Sequence, residues 1–476
     1  MHICSFYEKN RKNPKKCLTK SIKNAAKPLK YIFFSKVSHM NFSEEVKAEL
    51  WAMIDAMSKD TTPFTMNPGR DFSRKKKWYF ASVMKFIISM EGKSLKDEIL
   101  KYFEYSSEHP TNSSFNQRRA QIKSEAFEYL FRAFLSKYNN EENLYHGFKL
   151  LACDGSDISI AHNPEDTETY FQNGSRAKGY NQLHLNALYD LQNRMFIDAI
   201  IQPACLENEH GAFCDMVDRY EGIPKTVFIV NRGYESYNNI AHVNEKGLYY
   251  LFRVKDKYSS GILSGLKLPD MDEYDVNISI QLTRKCTKEV LAHPEIYKCS
   301  HRKDFLDFID LDKKPFYLLE FRVLRFPVSD TEYECIITNL PIDEFGSNDI
   351  KELYGMRWGI ETSFRELKYA VGMTCFHSKK VGYIKQEIWA RMLLYNFCEV
   401  ITTHISIEKC ERKHIYQVNY TIAIHICRYF LSKMAEKSPP DVEALISKEI
   451  LPVRPGRHNP RKADHQRPFS FLYRTS

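Results

Sequence analysis

Between residues 149 and 254, short apolar runs alternate with stretches of helical pattern, and this alternation constrains the fold more than any other feature of the chain. Strand candidates lie near 149–154, 182–189, 195–201, 226–230 and 248–254, with helix candidates near 208–221 and 236–245. Elements in that order predict an α/β core. Two of the runs end alike. Lys149-Leu-Leu-Ala-Cys-Asp154-Gly-Ser-Asp157 reads as a buried strand closing on a carboxylate beside a glycine. Lys225-Thr-Val-Phe-Ile-Val-Asn231-Arg-Gly-Tyr234 reads as a second buried strand, closing on an amide and a glycine-containing loop. A polar side chain at such a strand end can project toward a ligand. Asp154-Gly155 alone also reads as a turn pair, and Asp157 is the alternative acid of the segment.

A third element carries the densest pattern. Tyr354-Gly-Met-Arg357-Trp-Gly-Ile-Glu361-Thr-Ser-Phe-Arg-Glu-Leu-Lys368 spaces its four key residues by 3, 4 and 7, which lines them up on one face of a helix. Such a face gives one carboxylate a basic and phenolic escort, as a metal-assisted site handling phosphate needs. Arg357 and Glu361 are also four apart, the spacing of an ordinary surface ion pair.

With Asp154-Gly155 and the Asn231-Arg232-Gly233-Tyr234 loop, this face resembles the signature of the DDE transposases of the insertion-sequence-four group. The resemblance implies a ribonuclease H-like catalytic core with a β-rich insertion, preceded by an all-helical DNA-binding domain. It implies catalytic positions at Asp154, Asn231 and Glu361, with Asp154 and Glu361 as metal ligands. Tyr354, Arg357, Lys368 and Arg232 are then expected to hold DNA phosphates, Arg as a planar fork and Lys as a point charge. Two Mg2+ or Mn2+ ions are the implied cofactors; such a pair activates a water or 3′ hydroxyl and stabilises the leaving oxygen. The implied partners are double-stranded DNA, both terminal inverted repeats and target, and a second copy of the chain on paired ends. The implied reaction is cut-and-paste cleavage and strand transfer of an insertion sequence, in the bacterial cytosol or nucleoid.

One position departs from the pattern. Asn231 stands where the family places its second Asp, while Arg232, Gly233 and Tyr234 keep the motif in register. An amide retains a carbonyl oxygen but no charge, and Mg2+ and Mn2+ prefer hard anionic oxygens. The expectation is a chain that folds and binds element ends yet cleaves DNA poorly. The alternative is a catalytically silent, transposase-derived DNA-binding protein or regulator.

Composition agrees with this class. The 476 residues suffice for two or three domains, and 43% hydrophobic with 27% charged residues is ordinary for a globular protein. No uninterrupted apolar run is long enough to span a bilayer. The 12 cysteines form no C-x-x-C pair, which argues against a zinc site, and no secretory signal is evident. The formal charge of +9 resides wholly in residues 1–40, which hold ten Lys or Arg and one acid, Glu8. DNA affinity must therefore come from local patches in the remainder.

These signals divide the chain into five parts. Residues 1–40 read as a basic, disordered extension, with Met40 an alternative start. Residues 41–140 read as the helical domain, with Ser43 as an N-cap, Ser94 and Asp97 as a capping pair, and Arg118 and Arg119 on a helix suited to phosphate and base edges. Residues 145–255 and 332–405 read as the core, interrupted by a β-rich insertion at 256–331 containing strands at 276–282 and 315–328. Tyr333–Leu340 is expected to return the chain to the core. Residues 406–476 read as a C-terminal helical region and a Pro/Arg-rich tail.

Overall fold

The apolar runs become strands of one sheet, and their pairing brings the polar strand ends together. The computed structural model describes residues 41–74, 76–172, 179–302, 305–329, 332–405, 416–432 and 441–452. The basic segment 1–40, Lys75 and the tail beyond Pro452 lie outside the described residues.

Helices come first: α1 (Phe42–Met57), α2 (Phe80–Ser89), α3 (Leu95–Tyr102), α4 (Asn112–Arg119) and α5 (Glu125–Tyr138). In α1, Val46, Leu50, Ile54 and Met57 form the buried stripe that helical periodicity requires. The helix starts one residue before the expected cap: Ser43 is buried in the first turn, and its N–H donates to Glu443 Oε1 at 3.1 Å. Ser94 caps α3 as expected, its Oγ accepting from the Asp97 N–H at 3.2 Å.

The sheet follows, with β1 (Lys149–Ile160), β2 (Tyr170–Phe171), β3 (Tyr180–Asp190), β4 (Met195–Pro203), β5 (Thr226–Val230) and β6 (Tyr249–Val254). Strands β7 (Tyr274–Thr283), β8 (Tyr297–Cys299), β9 (Phe316–Pro327) and β10 (Tyr333–Thr338) complete it. Its order is β2-β3-β1-β5-β6-β10-β9-β7-β8, with β4 also on β3. β1, β5 and β6 run parallel, whereas β3 is antiparallel to β1 and β4 antiparallel to β3. β10 returns to the edge of β6, and β9, β7 and β8 extend the same sheet beyond it.

Helices cover both faces. On β1, Leu151 and Cys153 pack with Phe213 and Val217 of α6 (Glu209–Asp218) and Ile240 of α7 (Tyr237–Glu245). A short α8 (Lys288–Ala292) lies between β7 and β8. Leu150 on the other face packs with Leu353 of α9 (Ser347–Met356). Ala152 meets the cluster holding Ile360 of α10 (Trp358–Arg365), α11 (Val381–His404), α12 (Tyr420–Ser432) and α13 (Val442–Lys448). Helices α1, α2 and α5 share that cluster, so the N-terminal helices pack on the C-terminal ones. The described residues from Phe42 onward form one compact unit.

Helix α11 is buried almost throughout from Ile384 to Thr402, so its polar side chains must find partners inside. Asn396 brackets Phe196, accepting from its N–H at 2.9 Å and donating to its carbonyl at 2.7 Å. Glu399 accepts from Arg194 at 3.0 Å. Nearby, Glu366 opens a π turn (Glu366–Ala370) after α10; the Tyr395 hydroxyl donates to it at 3.1 Å and Arg194 lies 3.5 Å away. Burial pushes the Glu366 carboxyl up to about 7, Arg194 offsetting only part of the effect. Its folded value exceeds the ordinary 4.5, so stability falls as pH rises through that window and the full penalty is present above it. Glu366→Gln is expected to raise Tm at pH 8 and leave it unchanged at pH 4 in scanning calorimetry; a Tm unchanged at both values would contradict this.

Candidate active site

The polar centre forms where the parallel ladder stops. β1 and β5 are in register from Lys149 opposite Thr226 to Cys153 opposite Val230. Asp154 and Asn231 are the next residues on each strand. β1 does not end at Asp154, as its apolar run suggested; it continues to Ile160 against β3 alone, which leaves its other edge open toward the loop after β5. Asn231 caps a 3-10 turn (Arg232–Tyr234), its Oδ1 accepting from the Gly233 N–H at 2.6 Å. That bond orients the amide, and Asn231 Nδ2 donates to Asp154 Oδ1 at 2.9 Å.

The late helical segment supplies the rest. Arg357 lies at the break between α9 and α10, buried to 4% exposure. Its Nη2 donates to Glu361 Oε1 at 2.8 Å while Nη1 lies 3.6 Å from Asp154 Oδ2. One guanidinium thus spans the two carboxylates. The Arg357–Glu361 pair expected of a surface helix is present, but at the site and partly buried. Tyr354 is buried with its ring 5.6 Å from the guanidinium, and burial pushes its phenol up. Burial likewise lifts Asp154 to about 6, the Gly155 N–H and Arg357 offsetting part of the shift.

Two expected residues stand apart. Lys368 falls in the π turn rather than on a regular helix, and its electrostatic partner is Asp157, not Glu361. The extra residue in a π turn breaks the simple spacing of 7 that placed it on the same face. Arg232 is exposed on the turn after Asn231.

Beside these lies a group that the sequence did not single out. His184 of β3 is buried, with Nδ1 2.8 Å from Asp157 Oδ1 and 3.6 Å from Glu207 Oε2, and Nε2 3.2 Å from Glu209 Oε1. Burial alone would lower its pKa, but the bond to Asp157 and the adjacent Glu209 and Glu207 carboxylates outweigh it and raise it to about 9. Ligand atoms of Asp157, His184 and Glu207 lie within 4.8 Å of one another, close enough for a metal ion. With no ion bound, the imidazole and its neighbouring carboxylates form an ion-pair cluster. The available signals were weak: one histidine in an apolar strand, and an acid at the first position of α6, where any helix favours one.

The donor set at Asp154 and Glu361 does suit a divalent ion. Both offer hard anionic oxygens, and Arg357 already places a cation between them. Gly155 and Gly233 explain the glycines of both motifs. A Cβ on Gly155 would stand 2.4 Å from His184 Nε2, and one on Gly233 would stand 2.9 Å from Asn231 Oδ1.

A sheet covered by helices, with carboxylates from a central strand and a late helix meeting on one arginine at the end of its parallel ladder, defines an α/β protein with a polar, partly buried site. Residues 145–397, more than half the chain, match the transposase DDE domain family, and the chain belongs to that family. No curated protein sequence matches the chain. Among solved structures it is similar to the piggyBac transposase in a cryo-EM synaptic complex with hairpin DNA, at a TM-score of 0.42 and 8% identity over 88% of this chain and 85% of that one. Among the described residues, no helix is long and apolar enough to cross a membrane.

Proposed function

We propose that the chain is the DNA transposase of an insertion sequence of the insertion-sequence-four group, carrying out metal-dependent cleavage and strand transfer at terminal inverted repeats. The observation that carries this reading is the convergence of Asp154 and Glu361 on one guanidinium beside the Asn231 loop. The strand order β4-β3-β1-β5-β6, with β1, β5 and β6 parallel, supports a ribonuclease H-like core. In this reading residues 145–255 and 332–405 are that core, residues 256–331 its β-rich insertion and residues 41–140 the DNA-binding helices. A second copy of the chain acts on the paired end.

Mg2+ or Mn2+, when bound by Asp154 and Glu361, supplies activation of the attacking oxygen and neutralisation of the leaving one. The chain's own groups position the DNA. Arg357 presents its buried Nε and Nη1, neither with a hydrogen-bond partner, to a phosphate, and Tyr354 packs beside it. Lys368 and Arg232 add charge at the margins.

Asn231 favours a second reading, a silent transposase-derived DNA-binding protein, because its uncharged amide donates a hydrogen bond to Asp154 where an Asp would add a second negative charge for a cation to bridge. The test incubates the full chain with a duplex carrying the DNA that flanks its gene, and with a scrambled duplex, in Mg2+, Mn2+ or EDTA. Metal-dependent cleavage of the flanking duplex supports the transposase. Selective binding without cleavage supports the silent reading, and neither selective binding nor cleavage rejects both.

A further inference from the structure

We infer that the cavity at the start of α4 receives one unpaired nucleotide of a bound DNA strand, its phosphate on a basic rim and its base edge on a glutamine amide. This inference rests on the reading of residues 41–140 as DNA-binding helices and names the place within them.

Two stretches of sequence build the cavity. Lys76 and Lys77 precede the buried Trp78, while Pro110 and the cap Thr111 lead into α4, which carries Gln117 and Arg118 two turns on. Together they line a space of about 440 Å3. That volume is within the range of small-ligand pockets, larger than a phosphate alone fills and far too small for a duplex. One nucleotide matches it.

The rim selects an anion. Lys76 and Arg118 form no ion pair among the described residues, and Arg118 donates Nη1 to Gln121 Oε1 at 2.9 Å. Lys77 lies 3.1 Å from Glu108, the only carboxylate among the lining residues, so the cations outnumber the acids. Thr111 in the wall places the positive end of α4 there too, its Oγ1 accepting from the Ser114 N–H at 3.2 Å. Basic side chains and a helix N-terminus are what hold a DNA phosphate. Behind the rim the wall changes character: Trp78 and Pro110 are buried, and Gln117 is exposed with no hydrogen-bond partner for its amide among the described residues. A free glutamine amide suits the edge of a base, adenine above all.

A second, independent observation points to a ligand here. Trp78 is 2% exposed, and its indole N–H is buried with no acceptor among the described residues. Phe103 and Phe115 pack on its ring with centroids 5.0 Å and 5.2 Å away, which holds the indole in place. Buried indole donors ordinarily have a partner. The adjoining cavity is where a ligand oxygen or ring nitrogen supplies one.

The experiment follows fluorescence anisotropy of a labelled oligodeoxyadenylate of about eight nucleotides, bound to the full chain in EDTA. Wild type is expected to bind, and deoxyadenosine monophosphate to displace the strand at concentrations where deoxyadenosine and inorganic phosphate each do not. Lys76→Ala and Arg118→Ala are each expected to weaken binding about fivefold or more and to make it less salt-dependent. Gln117→Ala is expected to weaken it about fivefold with the salt dependence unchanged, and Trp78→Phe, which keeps a ring but removes the N–H, to weaken it by a similar factor. Lys314→Ala, at an exposed lysine outside the cavity, is expected to bind as wild type does. Should Trp78→Phe fail to fold, judged by circular dichroism, Gln117→Ala and Arg118→Ala carry the test. No strand binding by wild type, undiminished binding by Lys76→Ala and Arg118→Ala, or displacement by inorganic phosphate as effective as by the nucleotide would overturn the inference. Strand binding that follows this pattern with no cleavage of any DNA in Mn2+ would leave it standing and reject the cleaving-transposase reading instead.

Discussion

Asn231→Asp is expected to lower the stability of the metal-free chain, to raise it above wild type in Mn2+, and to increase metal-dependent DNA cleavage. In the present chain Asn231 Nδ2 donates to Asp154 Oδ1 at 2.9 Å, and Asp154 sits in a buried setting that already lifts its carboxyl to about 6. Aspartate at 231 replaces that donor with an oxygen. Gly233 N–H still fixes the other oxygen, so the second one faces Asp154 directly. Two carboxylates that close cannot both ionise without a cation between them. Loss of the hydrogen bond with the repulsion costs roughly 1–3 kcal/mol in the absence of metal. A divalent ion reverses the sign, because both oxygens then become ligands. Holding the second ion of a two-metal clamp is worth several kcal/mol of transition-state stabilisation, and each 1.36 kcal/mol is about a factor of ten in rate. Cleavage is therefore expected to rise by about a hundredfold or more. Paired melting curves with EDTA and Mn2+, followed by cleavage time courses on the flanking duplex, check both halves. Equal and robust cleavage by the two chains would sink the account.

Arg119→Ala is expected to cost about 3–5 kcal/mol of stability, more than any surface substitution in the described helices. Arg119 is fully buried, and its Nη2 lies 2.9 Å from Glu387 Oε1, also buried. Its Nε donates to Gln386 Oε1 at 2.8 Å and its Nη2 to the Tyr383 carbonyl at 2.6 Å. Glu387 also accepts from Arg391 and His377, each at 3.1 Å. Burial alone would raise the Glu387 carboxyl; Arg119 and His377 outweigh it and hold the group far below the carboxylate range. Its contribution to stability is thus present above pH 4.5, its ordinary value, and is lost only in strong acid. Removing Arg119 takes the side-chain partner from Glu387 Oε1 and from Gln386, leaving a cavity and a buried carboxylate oxygen under-satisfied between α4 and α11. The sequence placed Arg119 with Arg118 as a DNA contact, and burial excludes it from that role. Arg118 is only half-buried, so Arg118→Ala is expected to leave stability nearly unchanged. Urea unfolding of the two variants separates them; an Arg119→Ala chain as stable as wild type would contradict the network.

Much of the fold was legible because local pattern encodes it. The five core strand segments, the helices near 208–221 and 236–245, the strands within 256–331 and the return strand near 333 all appear, since period-2 and period-3.6 burial leave their marks on neighbouring residues. Asp154, Asn231, Arg357 and Glu361 do meet. Local pattern was poorer at ends and irregular turns. β1 runs six residues past Asp154, because pairing with β3 continues after β5 has left. Lys368 lies opposite Asp157 because a π turn intervenes, and nothing in residues 366–370 announces one.

What the sequence determined by itself is the kind of each element and the chemistry of three segments, 149–157, 225–234 and 354–368, enough to mark the lineage and the single departure at Asn231. What only the tertiary structure decided is who stands next to whom. That Asn231 donates to Asp154, that His184 pairs with Asp157, and that Arg119 serves Glu387 rather than DNA all depend on pairings between residues far apart in the chain. Such contacts are set by strand register and by how a buried helix fills its surroundings, and packing is a property of the assembled core rather than of any window of sequence.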